Sequence, residues 1–142
     1  LNKSLVKWVE KENFHLTLKF LGETRKERLS QIEEGLKQAT LNFNSLLLEL
    51  QEVEAFPNWR NPRVIWVGLG GDTAQLRNLH HRIHQELFDR GFSLDPKPFR
   101  PHLTLGRIKQ GAQVSVGAIN DLKLIPKDVT FEVKQIDLMQ SI

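Results

Sequence analysis

The tetrapeptide His-Leu-Thr-Leu occurs twice in this chain, at His15 to Leu18 and at His102 to Leu105. With this composition a second copy of the first would arise by chance on the order of a few times in a thousand chains, so the repeat itself carries weight. Each copy alternates polar and apolar side chains, the pattern of a half-buried strand. Side chains at i and i+2 of a strand share a face, so His15 points with Thr17 and His102 with Thr104, while the leucines turn into a core. Two such strands brought side by side would set two imidazoles and two hydroxyls in one cleft. With an ordinary imidazole pKa of about 6.5, one ring can accept a proton near neutral pH while the other donates one. The threonine hydroxyls can donate to a substrate oxyanion, and Arg107 can add a charge-assisted, bidentate contact to phosphate. That set suits cleavage of a phosphodiester by water, with no metal and no covalent intermediate. A lone His-x-Thr is ordinarily a ring packed on a sheet surface; it is the pair that argues for a site.

The elements that must hold these residues can be read in outline. Phe14 to Leu21, bounded by Asn13 and Gly22, reads as the first motif's strand. Leu29, Ile32 and Leu36 recur at helical spacing within Arg25–Gln38, with Thr24 and Glu27 in the positions of a capping box. Leu46 to Val53 reads as a strand, Phe56 to Pro62 as a loop, and Val64 to Leu69 as a buried strand. After Gly70-Gly71-Asp72, the positions Leu76, Leu79, Ile83, Leu87 and Phe88 mark an amphipathic helix ending near Gly91. Asp95 to Pro101, with three prolines, is a stiff lead-in to the second motif's strand, His102 to Ile108. Gly111 to Lys123 is weakly patterned, and Val129 to Leu138 reads as a closing strand with Val129, Phe131 and Val133 on one face. Strands and helices in mixed order, without a linker, indicate a single domain of layered α/β or α+β type.

Composition narrows the function classes. The 142 residues contain no cysteine, which excludes disulfide frameworks, cysteine-ligated metals and thiol nucleophiles. No apolar run approaches the roughly 18 residues of a membrane span, and Leu1-Asn2-Lys3-Ser4 is not an apolar leader, so the expected compartment is the cytoplasm. Twenty Lys and Arg against 17 Asp and Glu make a net charge of +3, which permits an anionic substrate without demanding one. The basic residues are not in one block: Lys19, Arg25, Lys26 and Arg28 follow the first motif, Arg60 and Arg63 sit mid-chain, and Lys97, Arg100, Arg107 and Lys109 surround the second, with a solvated, mixed-charge surface as the plainer reading.

Three stretches together carry a resemblance. Phe14-His15-Leu16-Thr17-Leu18-Lys19-Phe20-Leu21-Gly22-Glu23, Asn61-Pro62-Arg63-Val64-Ile65-Trp66-Val67-Gly68 and Phe99-Arg100-Pro101-His102-Leu103-Thr104-Leu105-Gly106-Arg107 closely resemble, in this order, the LigT-like RNA 2′,3′-cyclic phosphodiesterases. These were formerly called 2′-5′ RNA ligases and belong to the two-histidine phosphoesterase superfamily. The resemblance implies a bilobal α+β fold with two antiparallel sheets around a central cleft, helices outside and a pseudo-two-fold repeat. It implies hydrolysis of RNA 2′,3′-cyclic phosphate ends to a 2′-phosphate, on RNA ends or small cyclic nucleotides, with no cofactor, no metal and no obligate protein partner. Carried over by position, His15 is the general acid, His102 the base that activates water, and Thr17, Thr104 and Arg107 the phosphate ligands. Family members usually carry an apolar strand and a helix before the first motif and further strand after the equivalent of Met139, so residues 1–142 read as one such domain trimmed at both ends. Strict alternation puts Arg107 on the face of Leu103 and Leu105, away from His102; it reaches the phosphate only if Gly106 bends or bulges the strand. The alternative functions are 2′-5′ RNA ligation, the same chemistry reversed, and a module that only holds RNA or nucleotide.

Other residues stand beside these as candidates. Phe56 and Trp59, in a proline-bounded loop with Arg60 and Arg63, are placed to stack a nucleobase and meet a backbone phosphate, with loop packing as the plainer reading. Trp66 reads as core or cleft wall. His80, His81 and His84 lie on the second helix; His80 and His84 are i, i+4 partners, but a metal site needs a further ligand and no His-Glu-x-x-His box is present, so a solvated helix face is the expectation.

Overall fold

In the computed structural model the described residues are 5–10, 14–122 and 129–141. Leu1–Ser4, Asn13 at the edge of the first motif, and Lys123 at the end of the weakly patterned stretch lie outside them. Five strands, β1 (Val6–Trp8), β2 (Leu46–Phe56), β3 (Val64–Gly71), β4 (His102–Ile108) and β5 (Thr130–Val133), form one sheet in the order β1-β4-β3-β2-β5. The helices are α1 (Leu29–Thr40), α2 (Thr73–Asp89) and α3 (Val116–Leu122). The α+β class read from the sequence is the observed one. The described residues divide into two compact units. One takes residues up to Leu16, Glu49–Gly71 and from Arg100 to Thr130; the other takes Thr17–Leu48, Asp72–Phe99 and residues from Phe131 on.

In the first unit β1 and β3 flank β4, both antiparallel to it. Ile65 and Val67 of β3 are fully buried, and Val6, Val53, Ile65 and Ile108 form a core cluster against which Leu5, Trp8, Trp59 and Leu105 pack. Ser115 caps α3, its hydroxyl accepting from the Ala118 N–H at 3.1 Å.

In the second unit α1 and α2 pack together. Ile32 and Ala39 of α1 and Leu76, Leu79, Ile83 and Leu87 of α2 are buried, each large aliphatic side chain contributing roughly 1.5–3 kcal/mol. The close approach needs Gly35, where a Cβ would stand 2.9 Å from Leu87 Cδ2. Gly91, at φ +92°, takes the left-handed turn that stops α2 where the sequence indicated.

Three local expectations are corrected. The capping box does not form: the Thr24 hydroxyl donates to the Gly22 carbonyl at 3.1 Å, and a 3₁₀ turn over Lys26–Arg28 intervenes before α1 begins without a side-chain cap. Threonine's hydroxyl has local backbone acceptors that compete with the cap. Phe14 to Leu21 runs without regular secondary structure, and the closing strand stops at Val133 rather than Leu138. Alternation fixes which way side chains face, whereas a strand also needs a neighbour to exchange hydrogen bonds with. The ladder of a second sheet is accordingly not formed among the described residues.

Candidate active site

The second motif lies on β4, and the register there answers the question that alternation raised about Arg107. Opposed residues of antiparallel strands share a face. Between β3 and β4 the pairs are Gly68 with His102, Val67 with Leu103 and Trp66 with Thr104; the next pair is Ile65 with Gly106, so Leu105 is an extra residue and the register shifts there. The bulge resets the phase. Val64 then opposes Arg107, and His102, Thr104 and Arg107 share one face with Val64, Trp66 and Gly68, while Ile65, Val67 and Leu69 are buried on the other. Gly106 sits in a crowded place: a Cβ there would stand 2.9 Å from both Trp8 Cε3 and Val6 Cγ1 and 3.1 Å from the Lys7 carbonyl.

His102 begins β4, exposed, and its backbone prepares its ring. Pro101 disfavours the helical region for Arg100 and keeps the lead-in extended. His102 Nδ1 lies 2.7 Å from the Arg100 carbonyl oxygen. A carbonyl can only accept, so Nδ1 carries the hydrogen and the neutral ring keeps its lone pair on Nε2. Trp66 meets the ring edge-on, with centroids 5.6 Å apart and planes at 67°. Trp66 is thus a wall of this face rather than a core residue.

The sequence reading missed Lys7. It is exposed on β1 directly opposite Arg107. Opposed across the ladder, the two cations share this face and their like charges repel. The available signal was the alternation of Val6, Lys7 and Trp8 ahead of the first motif.

The first motif is built differently. His15 and Thr17 are exposed in this irregular run, His15 belonging to the unit that holds β4 and Thr17 to the other. What anchors this run is Lys19, whose side chain is only 6% exposed and donates to the Ser93 carbonyl at 2.8 Å and to Asp95 Oδ1 at 3.2 Å.

Residues 1–66 and 69–142 match the family of LigT like Phosphoesterases. The chain belongs to that family. Its relatives include proteins named RNA 2′,3′-cyclic phosphodiesterase from Aeropyrum pernix (41% identical, covering 96% of this chain and 77% of the relative), Archaeoglobus fulgidus (43%, 74% and 57%) and Thermotoga maritima (35%, 88% and 66%). The LigT-like chain thus spans between about half and three-quarters of the length of these relatives. Among solved structures it resembles a protein of Thermus thermophilus (TM-score 0.64, 25% identity, 92% of this chain and 66% of that one). It also resembles Escherichia coli LigT, crystallised with 3′-AMP (TM-score 0.65, 22% identity, 93% and 69%).

The remaining candidates of this LigT-like chain separate by packing. Phe56 is 66% exposed, whereas Trp59 packs on the core cluster. Asn58 Oδ1 shapes their loop by accepting from the Arg60 and Asn61 N–H groups at 3.0 Å, and the exposed Arg63 donates its backbone N–H to the Phe56 carbonyl at 2.8 Å. The solvated helix face expected for the α2 histidines holds for the exposed His81 and is corrected for His84, which is buried and held by Asp95 at 2.8 Å and by the His80 carbonyl at 2.9 Å. Helical periodicity could not foresee Asp95, which follows after the chain has turned. No helix among the described residues is long and apolar enough to cross a membrane.

Proposed function

We propose that this chain hydrolyses RNA 2′,3′-cyclic phosphate ends to 2′-phosphomonoesters, without a metal in the reaction. The observation that carries the reading is the phase reset at Leu105, which sets the lone pair-bearing ring of His102, the Thr104 hydroxyl and the Arg107 guanidinium on one face. The relatives' name supplies the substrate class.

The chemistry follows from those groups. His102 Nε2 takes a proton from water as the water oxygen bonds to phosphorus. The bond from phosphorus to O3′ breaks, and His15, entering as the imidazolium, gives its proton to O3′. The phosphate stays on O2′. Arg107, Lys7, Thr104 and Thr17 stabilise the charge that gathers on the non-bridging oxygens. Phe56 and Arg63 are the contacts to the flanking nucleotide, with Trp59 shaping their loop. The family match crosses both units, which supports treating them as one domain. A cysteine-free chain with no described membrane-crossing helix suits cytoplasmic RNA ends as substrate.

The test is to incubate the purified protein in EDTA with an RNA ending in a 2′,3′-cyclic phosphate and to resolve the 2′- and 3′-monophosphates. Accumulation of the 2′-phosphate supports the reading. A 3′-phosphate assigns the opposite leaving oxygen, and no turnover by the folded protein overturns hydrolysis in favour of ligation or binding.

A further inference from the structure

His80 and His84 stand one turn apart on α2 and share a face. What the helix alone lacks is a third ligand, and the chain beyond Gly91 brings it: Asp95 Oδ2 reaches 2.8 Å from His84 Nε2. His84 Nδ1 lies 2.9 Å from the His80 carbonyl oxygen, which can only accept, so Nδ1 carries the hydrogen. Nε2 and the carboxylate oxygen therefore face each other as two lone pairs, and something positive must lie between them: a second proton on the ring, or a metal ion. An imidazole whose one N–H is committed to a backbone carbonyl, with the other nitrogen aimed at a carboxylate, is oriented as metal-ligating histidines are.

The other two groups are also prepared. The His80 ring stacks on Phe99 with centroids 4.0 Å apart and planes within 8°, and lies 4.0 Å from the His84 ring. Lys19 sits on Oδ1, the oxygen turned away from His84, as a hydrogen bond supporting a ligating carboxylate does. One ligand atom from each of His80, His84 and Asp95 lies within 4.8 Å of the others. A tetrahedral ion held at about 2.0–2.2 Å spaces its ligands roughly 3.4 Å apart, a change that side-chain rotation can supply.

The geometry points to a binding site for a divalent ion of the zinc class at His80, His84 and Asp95, its fourth position open to water on the exposed side of Asp95. It shares no residue with the proposed phosphodiesterase site, and the ion ties α2 to the segment that follows it.

The test is titration of the metal-free full chain with Zn²⁺ by calorimetry and with Co²⁺ by visible absorption, with circular dichroism confirming that each variant is folded. One equivalent of Zn²⁺ binds, and Co²⁺ develops the intense d–d bands of a four-coordinate site. His80→Ala and Asp95→Asn each weaken Zn²⁺ by at least about tenfold, whereas His81→Ala and His102→Ala leave it unchanged. Sub-stoichiometric binding, or binding indifferent to His80→Ala and lost with His102→Ala, overturns the site and leaves a protonated ion pair in its place.

Discussion

The two copies of His-Leu-Thr-Leu share every residue and fold differently. His102 to Leu105 lies in a strand laddered on both sides and carries an extra residue that turns Arg107 toward the histidine. His15 to Leu18 has no ladder and is fastened further on by the buried side chain of Lys19. The tetrapeptide dictates which side chains face together; its neighbours decide whether it becomes a strand. One copy is therefore placed by backbone pairing and the other by a side-chain anchor.

The sharpest way to break the comparison is to remove each imidazole. If the copies act as base and acid of one reaction, His102→Ala and His15→Ala each reduce kcat by roughly 10²–10⁴ while binding of the RNA end is largely kept. Single-turnover rates and fluorescence titration separate the two quantities; a His15→Ala protein with full activity would leave only the laddered copy in the mechanism.

The glycines that follow the motifs give the next largest contrast. Gly106→Ala drives a methyl against Trp8, Val6 and the Lys7 carbonyl and destabilises by about 1–3 kcal/mol as an overpacked site. Gly22 has open space around it but φ +70°, so Gly22→Ala costs only the left-handed backbone preference, about 1 kcal/mol. Urea midpoints at constant slope measure both, and equal losses would mean that the β1 to β4 approach is looser than the distances imply.

Charge on the laddered copy comes third. Arg107→Lys keeps the charge and loses the bidentate geometry, lowering kcat/KM by about tenfold. Lys7→Gln raises KM a few-fold, an effect that shrinks as salt is added because the residue is exposed. A salt-independent loss would point to damage in the sheet instead. Smallest is the hydroxyl pair: Thr104→Val and Thr17→Val each lower kcat/KM several-fold, about the value of one neutral hydrogen bond. A silent Thr17→Val would show that only the laddered threonine reaches the phosphate.

Much of this was legible in the sequence because it is periodic. Leu76, Leu79, Ile83 and Leu87 are buried as their spacing requires, and the Gly70-Gly71-Asp72 and Gly91 breaks bracket α2 closely. What escaped is what depends on a neighbour. The phase of Arg107 belongs to the register between two strands, and no reading of β4 alone reveals that Leu105 is the supernumerary residue. His84 was misjudged because the group that holds it lies past the end of its helix, and Thr24 because a hydroxyl chooses among acceptors that only the folded backbone positions. The place of Lys7 is set by β1 lying across from Arg107.

The Lys19 anchor has a consequence in time as well as in space. A laddered strand exposes its amides only when the sheet itself opens, whereas an unladdered run is held by side-chain contacts, among them the Lys19 ammonium on one carbonyl and one carboxylate. Amides of residues 15–18 should therefore exchange with solvent much faster than those of 103–107. Asp95→Asn, which removes the charge that holds Lys19, should quicken exchange in the first set and leave the second untouched. The chemical state of a carboxylate far along the chain thereby contributes to how long the first motif stays in place.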